Sequence, residues 1–179
     1  MKELYISSER RYNDGKASPC GWVDLDKILD FDDLKDFLRN QMDVDGYDEE
    51  LCILDDNIQN ADLRRLLRLD EDITTVMSRW EAFQEYNPND WACLATLEES
   101  LYGRKTPLDD LLWEYEHELS HMYFCSLEDA VQVKLEHIRE VLEMLGNDYD
   151  INLIDMNYLR KKVASDSYEG TNGIVIVNC

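Results

Sequence analysis

Negative charge spread along the whole chain is the feature that most restricts how this sequence can fold. The sequence has 40 Asp and Glu residues against 18 Lys and Arg, a formal net charge of −22. Acids exceed bases by nine in residues 1–57, by eight in residues 58–125 and by five in residues 126–179, so the excess is not confined to a tail. Like charges within a Debye length of about 8 Å at physiological salt repel one another and destabilise a compact fold. A chain selected for stability alone would interleave more Lys and Arg.

Three interpretations of this charge are open: a means of staying soluble, a buffer for divalent cations, or a surface that copies a polyanion. The sign of the charge disfavours binding to nucleic acid or to anionic membranes. The length of 179 residues and the hydrophobic fraction of 44% predict a globular protein. The sequence has no apolar run of about 18 residues and no apolar signal core at its N-terminus, so we expect a cytoplasmic protein. Five widely spaced cysteines without a Cys-x-x-Cys pair predict reduced thiols.

The first predicted domain, residues 1–57, is a β-β-α-β unit. Alternating apolar residues and turn signals indicate its strands, and a periodic apolar face behind an Asp indicates its helix. The elements are strands over 3–8 and 21–25, a helix that Asp30 or Asp32 caps, and a strand over 50–54.

The remaining two predicted domains are a central helical bundle, residues 58–118, and a second mixed α/β unit, residues 119–179. Apolar residues at helical spacing fill the central segment, and Thr106-Pro107 followed by two aspartates indicates the start of a helix. The four tryptophans are predicted to anchor the core. The final domain is expected to have a β-prone segment over 121–125, a helix opened by a capping box at Ser126 and closed by Gly146, and a hairpin turn at Asn172-Gly173 before a buried last strand.

One short motif indicates an enzyme. His117-Glu118-Leu119-Ser120-His121 matches H-E-x-x-H, in which two histidines one helical turn apart bind zinc and the glutamate activates water. The metzincin extension is absent, and the third ligand could be Glu136, Glu140 or Glu143. The motif also needs a continuous helix through His121, whereas the residues after His121 favour a strand. A zinc-dependent hydrolase is therefore one alternative function, and a generic acidic interaction protein without catalysis is another.

Other motifs are weaker. Residues 43–50 resemble an EF-hand loop around Gly46, but Gln41 and Cys52 occupy the two end ligand positions, so an acidic loop is the better interpretation. The basic clusters at residues 64–68 and 160–162 are interpreted as local partners of nearby acids. Glycine-rich phosphate loops and partnered nucleophiles are absent from the sequence, and we expect no cofactor.

Both ends of the chain have short distinctive motifs. They are Tyr5-Ile6, Tyr12-Asn13-Asp14-Gly15 and Gly21-Trp22 before an acidic helix, and at the other end Tyr158 and Gly170-Thr171-Asn172-Gly173. With these motifs the chain resembles the ArdA family of antirestriction proteins. The resemblance implies an elongated three-domain homodimer, typically carried on mobile genetic elements, that mimics bent duplex DNA. Such a protein occupies the DNA-binding groove of type I restriction-modification enzymes, inhibits them, and binds no nucleic acid itself.

The amount of charge is compatible with mimicry of DNA. Forty carboxylates match the phosphates of about 20 base pairs, or about 68 Å of duplex, whereas a compact globule of this length has a radius of gyration of only about 16 Å. Mimicry thus requires small domains in a row. On the first helix, Asp32 and Asp36 are expected to lie about 6 Å apart along the axis, close to the spacing of neighbouring phosphates. The predicted DNA-mimic surface consists of Asp24, Asp26, Asp30, Asp32, Asp33, Asp36, Asp43, Asp45, Asp48, Glu49, Glu50, Asp109, Asp110, Glu114 and Glu116.

Overall fold

The computed structural model has an α+β architecture, as predicted. It describes residues 1–8, 20–42, 50–101, 106–117, 121–144 and 154–178. These residues form seven α-helices and two three-stranded antiparallel sheets. Contacts group the chain into two compact units, Met1–Trp91 and Ala92–Cys179. The division into three domains remains a prediction.

The sheet of unit 1 is built from the three predicted strands. Strand β1 (Glu3–Ser8) lies in the centre, between β2 (Cys20–Asp24) and β3 (Leu51–Asp56). Strand β2 ends at Asp24 because its carboxylate accepts a hydrogen bond from the Asp26 amide at 3.1 Å and starts a short 3-10 helix, Leu25–Lys27. The prediction of β-β-α-β order is confirmed. The connection over residues 9–19, including the Tyr12–Gly15 motif, lies outside the described residues.

Helix α1 (Phe31–Met42) carries the first predicted group of acids. Its N-cap is Asp30, whose carboxylate accepts a hydrogen bond from the Asp33 amide at 2.8 Å. Leu34 and Leu38 are buried on the face towards the core, while Asp32 and Asp36 are exposed on the other face. The sequence pattern therefore predicted both the start of the helix and its orientation.

Helices α2 (Ala61–Leu67) and α3 (Ile73–Phe83) complete unit 1. Helix α3 packs against α1 and β3. Its Trp80 is buried and donates an indole N–H hydrogen bond to the Ile28 carbonyl at 2.7 Å, immediately before α1. Gln84, one residue beyond α3, donates to the Leu29 carbonyl at 3.0 Å. These bonds fix the turn from which the acidic helix starts.

Helix α4 (Pro88–Leu101) contains the boundary between the units, and α5 (Leu108–Glu116) starts directly after Thr106-Pro107, as predicted. The prediction that all four tryptophans anchor the core is half wrong. Trp80 and Trp91 are buried, but Trp22 is 46% exposed and Trp113 is 57% exposed. Trp22 lies beside Tyr5 on the sheet, and Trp113 lies on the solvent side of α5, where apolar spacing alone does not decide burial.

Unit 2 has the second sheet, with β6 (Val175–Asn178) between β4 (His121–Phe124) and β5 (Ser167–Glu169). The predicted hairpin is present: β5 pairs with β6, and Gly173 in its turn has a φ of +85°, a conformation that favours glycine. The last strand is buried at Val175 and Ile176, as predicted.

Two helices pack on this sheet, α6 (Leu127–Met144) and α7 (Met156–Ser165). The predicted capping box opens α6: the Ser126 hydroxyl accepts from the Asp129 amide at 3.2 Å and donates to the Asp129 carboxylate at 2.7 Å. Ala130 and Val131 are buried on its inner face. Gly146, which was expected to close α6, lies outside the described residues.

Candidate functional site: two groups of acidic residues

The first group of predicted site residues lies around α1 in unit 1, and most of its acids already have cationic partners. Their partners are lysines and an arginine of the same unit. The pairs are Asp24 with Lys27 at 3.1 Å, Asp26 with Lys2 at 2.7 Å, Asp32 with Lys35 at 2.5 Å and Asp36 with Arg39 at 3.8 Å. The hydrogen bond from Lys27 also lowers the pKa of Asp24 below its usual value.

These pairs leave the carboxylates accessible. The side chains of Asp26, Asp32 and Asp36 are 55%, 78% and 66% exposed. Exposed ion pairs contribute only about 0–1 kcal/mol to stability. A partner protein that offers its own Lys or Arg can therefore replace Arg39 beside Asp36 at little energetic cost, because both side chains are exposed. The side chains of Lys2 and Lys35 are only 26% and 11% exposed, so their pairs with Asp26 and Asp32 cost more to break.

Asp30 and Asp33 have a structural role in the same group. Asp30 caps α1, and the Asp33 carboxylate accepts a hydrogen bond from the Leu29 amide at 3.1 Å. Both carboxylates thus satisfy backbone N–H groups at the start of the helix, where negative charge is also favoured by the helix dipole. Their negative charge contributes to the acidic surface, but replacing either one would also disturb the helix.

Sequence reasoning missed Lys2, which holds the acidic group to the core of unit 1. Its Nζ lies 2.7 Å from the Asp26 carboxylate and 5.2 and 5.3 Å from the ring centroids of Trp80 and Trp91. The i,i+3 spacing of the pairs on α1 was a signal in the sequence. No local pattern connects Lys2 with residues this distant in the chain.

The second group lies on α5 in unit 2 and differs from the first because its helix has no cationic residue. In nine residues this helix has four acids and no Lys or Arg. Asp109, Asp110 and Glu116 are exposed, and Glu114 is half-buried. Asp109 and Asp110 lie in the first turn, where the helix dipole favours them, but Glu114 and Glu116 lie near the C-terminus, where it opposes them. Asp110 and Glu114 are also a like-charge i,i+4 pair, which destabilises a helix by a few tenths of a kcal/mol.

An exposed aromatic pair ends this helix. The rings of Trp113 and His117 stack with their centroids 4.6 Å apart, and His117 Nδ1 lies 2.9 Å from the Trp113 carbonyl oxygen. The pair gives the acidic helix a flat apolar surface next to its carboxylates, a combination suited to contact with another protein.

The remaining predicted acids are only partly described. Glu50 is exposed directly before β3. Asp43, Asp45, Asp48 and Glu49, and with them the loop that resembles an EF-hand, lie outside the described residues.

The basic clusters have local acidic partners, as interpreted from the sequence. Arg64 binds the Asp56 carboxylate at 2.8 Å, and this hydrogen bond raises the pKa of Arg64. Arg160 binds Glu128 at 2.9 Å.

The two histidines of the zincin motif are not on one helix. Helix α5 ends at Glu116 with His117 as its C-cap, whereas His121 is the first residue of β4, which confirms the strand predicted there. Glu118, Leu119 and Ser120 lie outside the described residues. Within the described ranges, no three His, Cys, Asp or Glu side chains come together as a potential metal site.

Comparisons with known proteins add no family assignment. No protein-family model matches the sequence, and no curated protein has significant similarity to it. Of the helices in the described part of the chain, none is both long and apolar enough to cross a membrane.

Proposed function

We propose that this protein inhibits type I restriction-modification enzymes by occupying their DNA-binding groove as a mimic of duplex DNA. The observation that carries the proposal is the excess of exposed carboxylates on short helices of both units, above all on α5, which has no base of its own. At Glu114 and Glu116, near the C-terminus of α5, this charge opposes helix stability. It is therefore better explained by a cationic partner than by folding.

The geometry of α1 supports the same proposal. Asp32 and Asp36 are one turn apart on its exposed face, about 6 Å along the axis. Residues 24–50 have eleven acids and three bases, so this segment stays strongly negative even when every base is paired. The resemblance of the chain ends to the ArdA family favours the same target and a homodimer.

The mechanism requires no catalytic residue in this chain. Lysines and arginines that hold DNA phosphates in the enzyme would instead meet Asp and Glu side chains, and the two electrostatic fields would accelerate association. Because the binding energy is divided among many exposed ion pairs, one Asp to Asn change should have little effect. Binding should weaken steeply as salt rises.

The test is displacement of a fluorescently labelled duplex from a type I methyltransferase that binds DNA. We expect the protein to displace the duplex at micromolar concentration at about 50 mM NaCl and to lose potency by about 300 mM. Failure to displace the duplex at low salt would contradict the proposal for that enzyme.

Two charge-matched variants test where the contact lies. The first replaces the three exposed α5 acids, Asp109→Asn, Asp110→Asn and Glu116→Gln. The second replaces three acids of α6, Glu136→Gln, Glu140→Gln and Glu143→Gln, and changes the net charge by the same amount. Three exposed ion pairs of about 0.5 kcal/mol each predict roughly tenfold weaker displacement for the α5 variant and a smaller loss for the α6 variant. Equal losses would show that net charge alone matters and would exclude α5 as a specific contact.

A further inference from the structure

A cavity of about 430 Å³ opens between α6, α7 and the sheet of unit 2. Its volume is at the lower end of the roughly 300–1,000 Å³ typical of pockets for small molecules. The described residues that line it are Phe124, Ala130, Val133, Lys134, His137, Leu159, Lys162, Val163, Asp166 and Val177.

The inner wall of this cavity is apolar. Ala130, Leu159 and Val163 are buried members of the unit 2 core, and Phe124 and Val177 are half-buried beside them. The cavity thus reaches into the core and offers no hydrogen-bonding side chain there. Such a wall accepts the hydrocarbon part of a ligand, because apolar surface gains free energy when it leaves water.

The rim of the cavity is cationic, although the chain as a whole is strongly acidic. Lys134 on α6 and Lys162 on α7 line the cavity with exposed side chains, against one carboxylate, Asp166, and the His137 ring lies among them. Lys162 binds Asp166 at 2.8 Å, and this hydrogen bond lowers the pKa of Asp166. The charge of Lys134 also lowers the pKa of Asp166, so both lysines act on the same end of the cavity.

We propose that this cavity binds a small amphipathic carboxylate, with its hydrocarbon chain against the apolar wall and its head group between Lys134 and Lys162. A charged head group at the rim stays partly hydrated, so it does not incur the desolvation penalty of a buried charge. The overall negative charge does not prevent binding, because at physiological salt the field of distant acids is screened over about 8 Å. A neutral lipid would gain no electrostatic attraction from the two lysines, and a cationic one would be repelled by them.

The experiment titrates sodium decanoate into the isotopically labelled full-length protein and follows backbone amide signals by NMR. We expect saturable shifts confined to α6, α7, β4 and β6. Decanol, which has the same chain without the charge, should bind about tenfold more weakly, and decyltrimethylammonium should not bind. Absence of saturation at millimolar decanoate, or equal affinity for decanol, would overturn the proposal.

Variants of single lysines locate the head group. Lys134→Gln and Lys162→Gln should each raise the Kd for decanoate about threefold, equivalent to about 0.7 kcal/mol, so that together they account for the tenfold effect of the charge. Lys161→Gln is the matched control, since Lys161 is exposed on the same helix and does not line the cavity. A similar loss in the control would show that net charge, not the rim, determines affinity. Concentration-dependent shifts of the same amides without decanoate would show that a second copy covers the cavity, and would also overturn the proposal.

Discussion

Replacing Trp80 with Phe should destabilise unit 1 by disconnecting α3 from the turn before α1. The Trp80 ring is 2% exposed, and its indole N–H is bonded at 2.7 Å to a carbonyl of Ile28, itself only 3% exposed. Phe fills part of the same space but cannot donate a hydrogen bond. The Ile28 carbonyl would then lose this donor in the interior of the protein.

The magnitude follows from two effects. Leaving a buried acceptor without its donor costs about 1–3 kcal/mol. The smaller ring removes further buried apolar area and leaves a partial cavity, which adds about 1 kcal/mol. Lys2 would still lie over an aromatic ring, because Phe retains a weaker cation–π contact. The expected loss is about 2–4 kcal/mol.

Urea unfolding followed by far-UV circular dichroism measures this loss, and hydrogen exchange of the α1 amides shows where it acts. Trp113→Phe is the matched control, because the same substitution at a 57% exposed site should change stability by no more than about 0.5 kcal/mol. We expect faster exchange in α1 only for Trp80→Phe. Equal stability of the two variants, or unchanged exchange in α1, would refute the role given to Trp80.

Four further stability predictions concern helix caps and glycines. Asp72→Ala should cost about 1 kcal/mol at pH 7 because Asp72 caps α3. Hydrogen bonds from Thr75 lower the folded-state pKa of Asp72 below the usual 3.8, so its contribution to stability is present above pH 3.8 and is lost as pH falls through the folded-state pKa. Urea unfolding should therefore show a smaller difference in stability between the variant and the parent protein at low pH. Ser126→Ala should likewise cost about 1 kcal/mol in urea unfolding, independently of pH above 5, by loss of the α6 cap. Gly173→Ala should cost about 1 kcal/mol through its positive φ. Gly170→Ala should lower the melting temperature more, since the new Cβ would lie 2.7 Å from Thr96, and equal melting temperatures for the two alanine variants would contradict this ranking.

Features that one short segment determines were predictable from the sequence. The cap at Asp30, the capping box at Ser126 and the turn at Gly173 each depend on the chemistry of a few adjacent residues. The strand after His117 was predictable for the same reason, because β-prone residues follow the motif. These local signals also placed the exposed acids of α1 and α5 correctly on helices.

Contacts between distant segments were not predictable. The bond from Trp80 to Ile28 joins residues 52 positions apart, and the pair of Lys2 with Asp26 joins residues 24 positions apart. Helical periodicity identifies an apolar face but not the element that covers it, so the packing of α3 against α1 and β3 was not predictable. For the same reason, apolar spacing did not predict that Trp22 and Trp113 are exposed, since no element among the described residues covers them.

The caps show how a chain with this much negative charge can still fold. Aspartates cap the 3-10 helix, α1, α3 and α7, and each accepts hydrogen bonds from backbone N–H groups that would otherwise have no partner in the helix. At these positions, negative charge stabilises the fold through the helix dipole. Acids at the C-terminal end of α5 have no such benefit, since the dipole opposes them. The capping aspartates should therefore contribute mainly to folding, and the α5 acids are the ones whose neutralisation can test partner binding without loss of a cap.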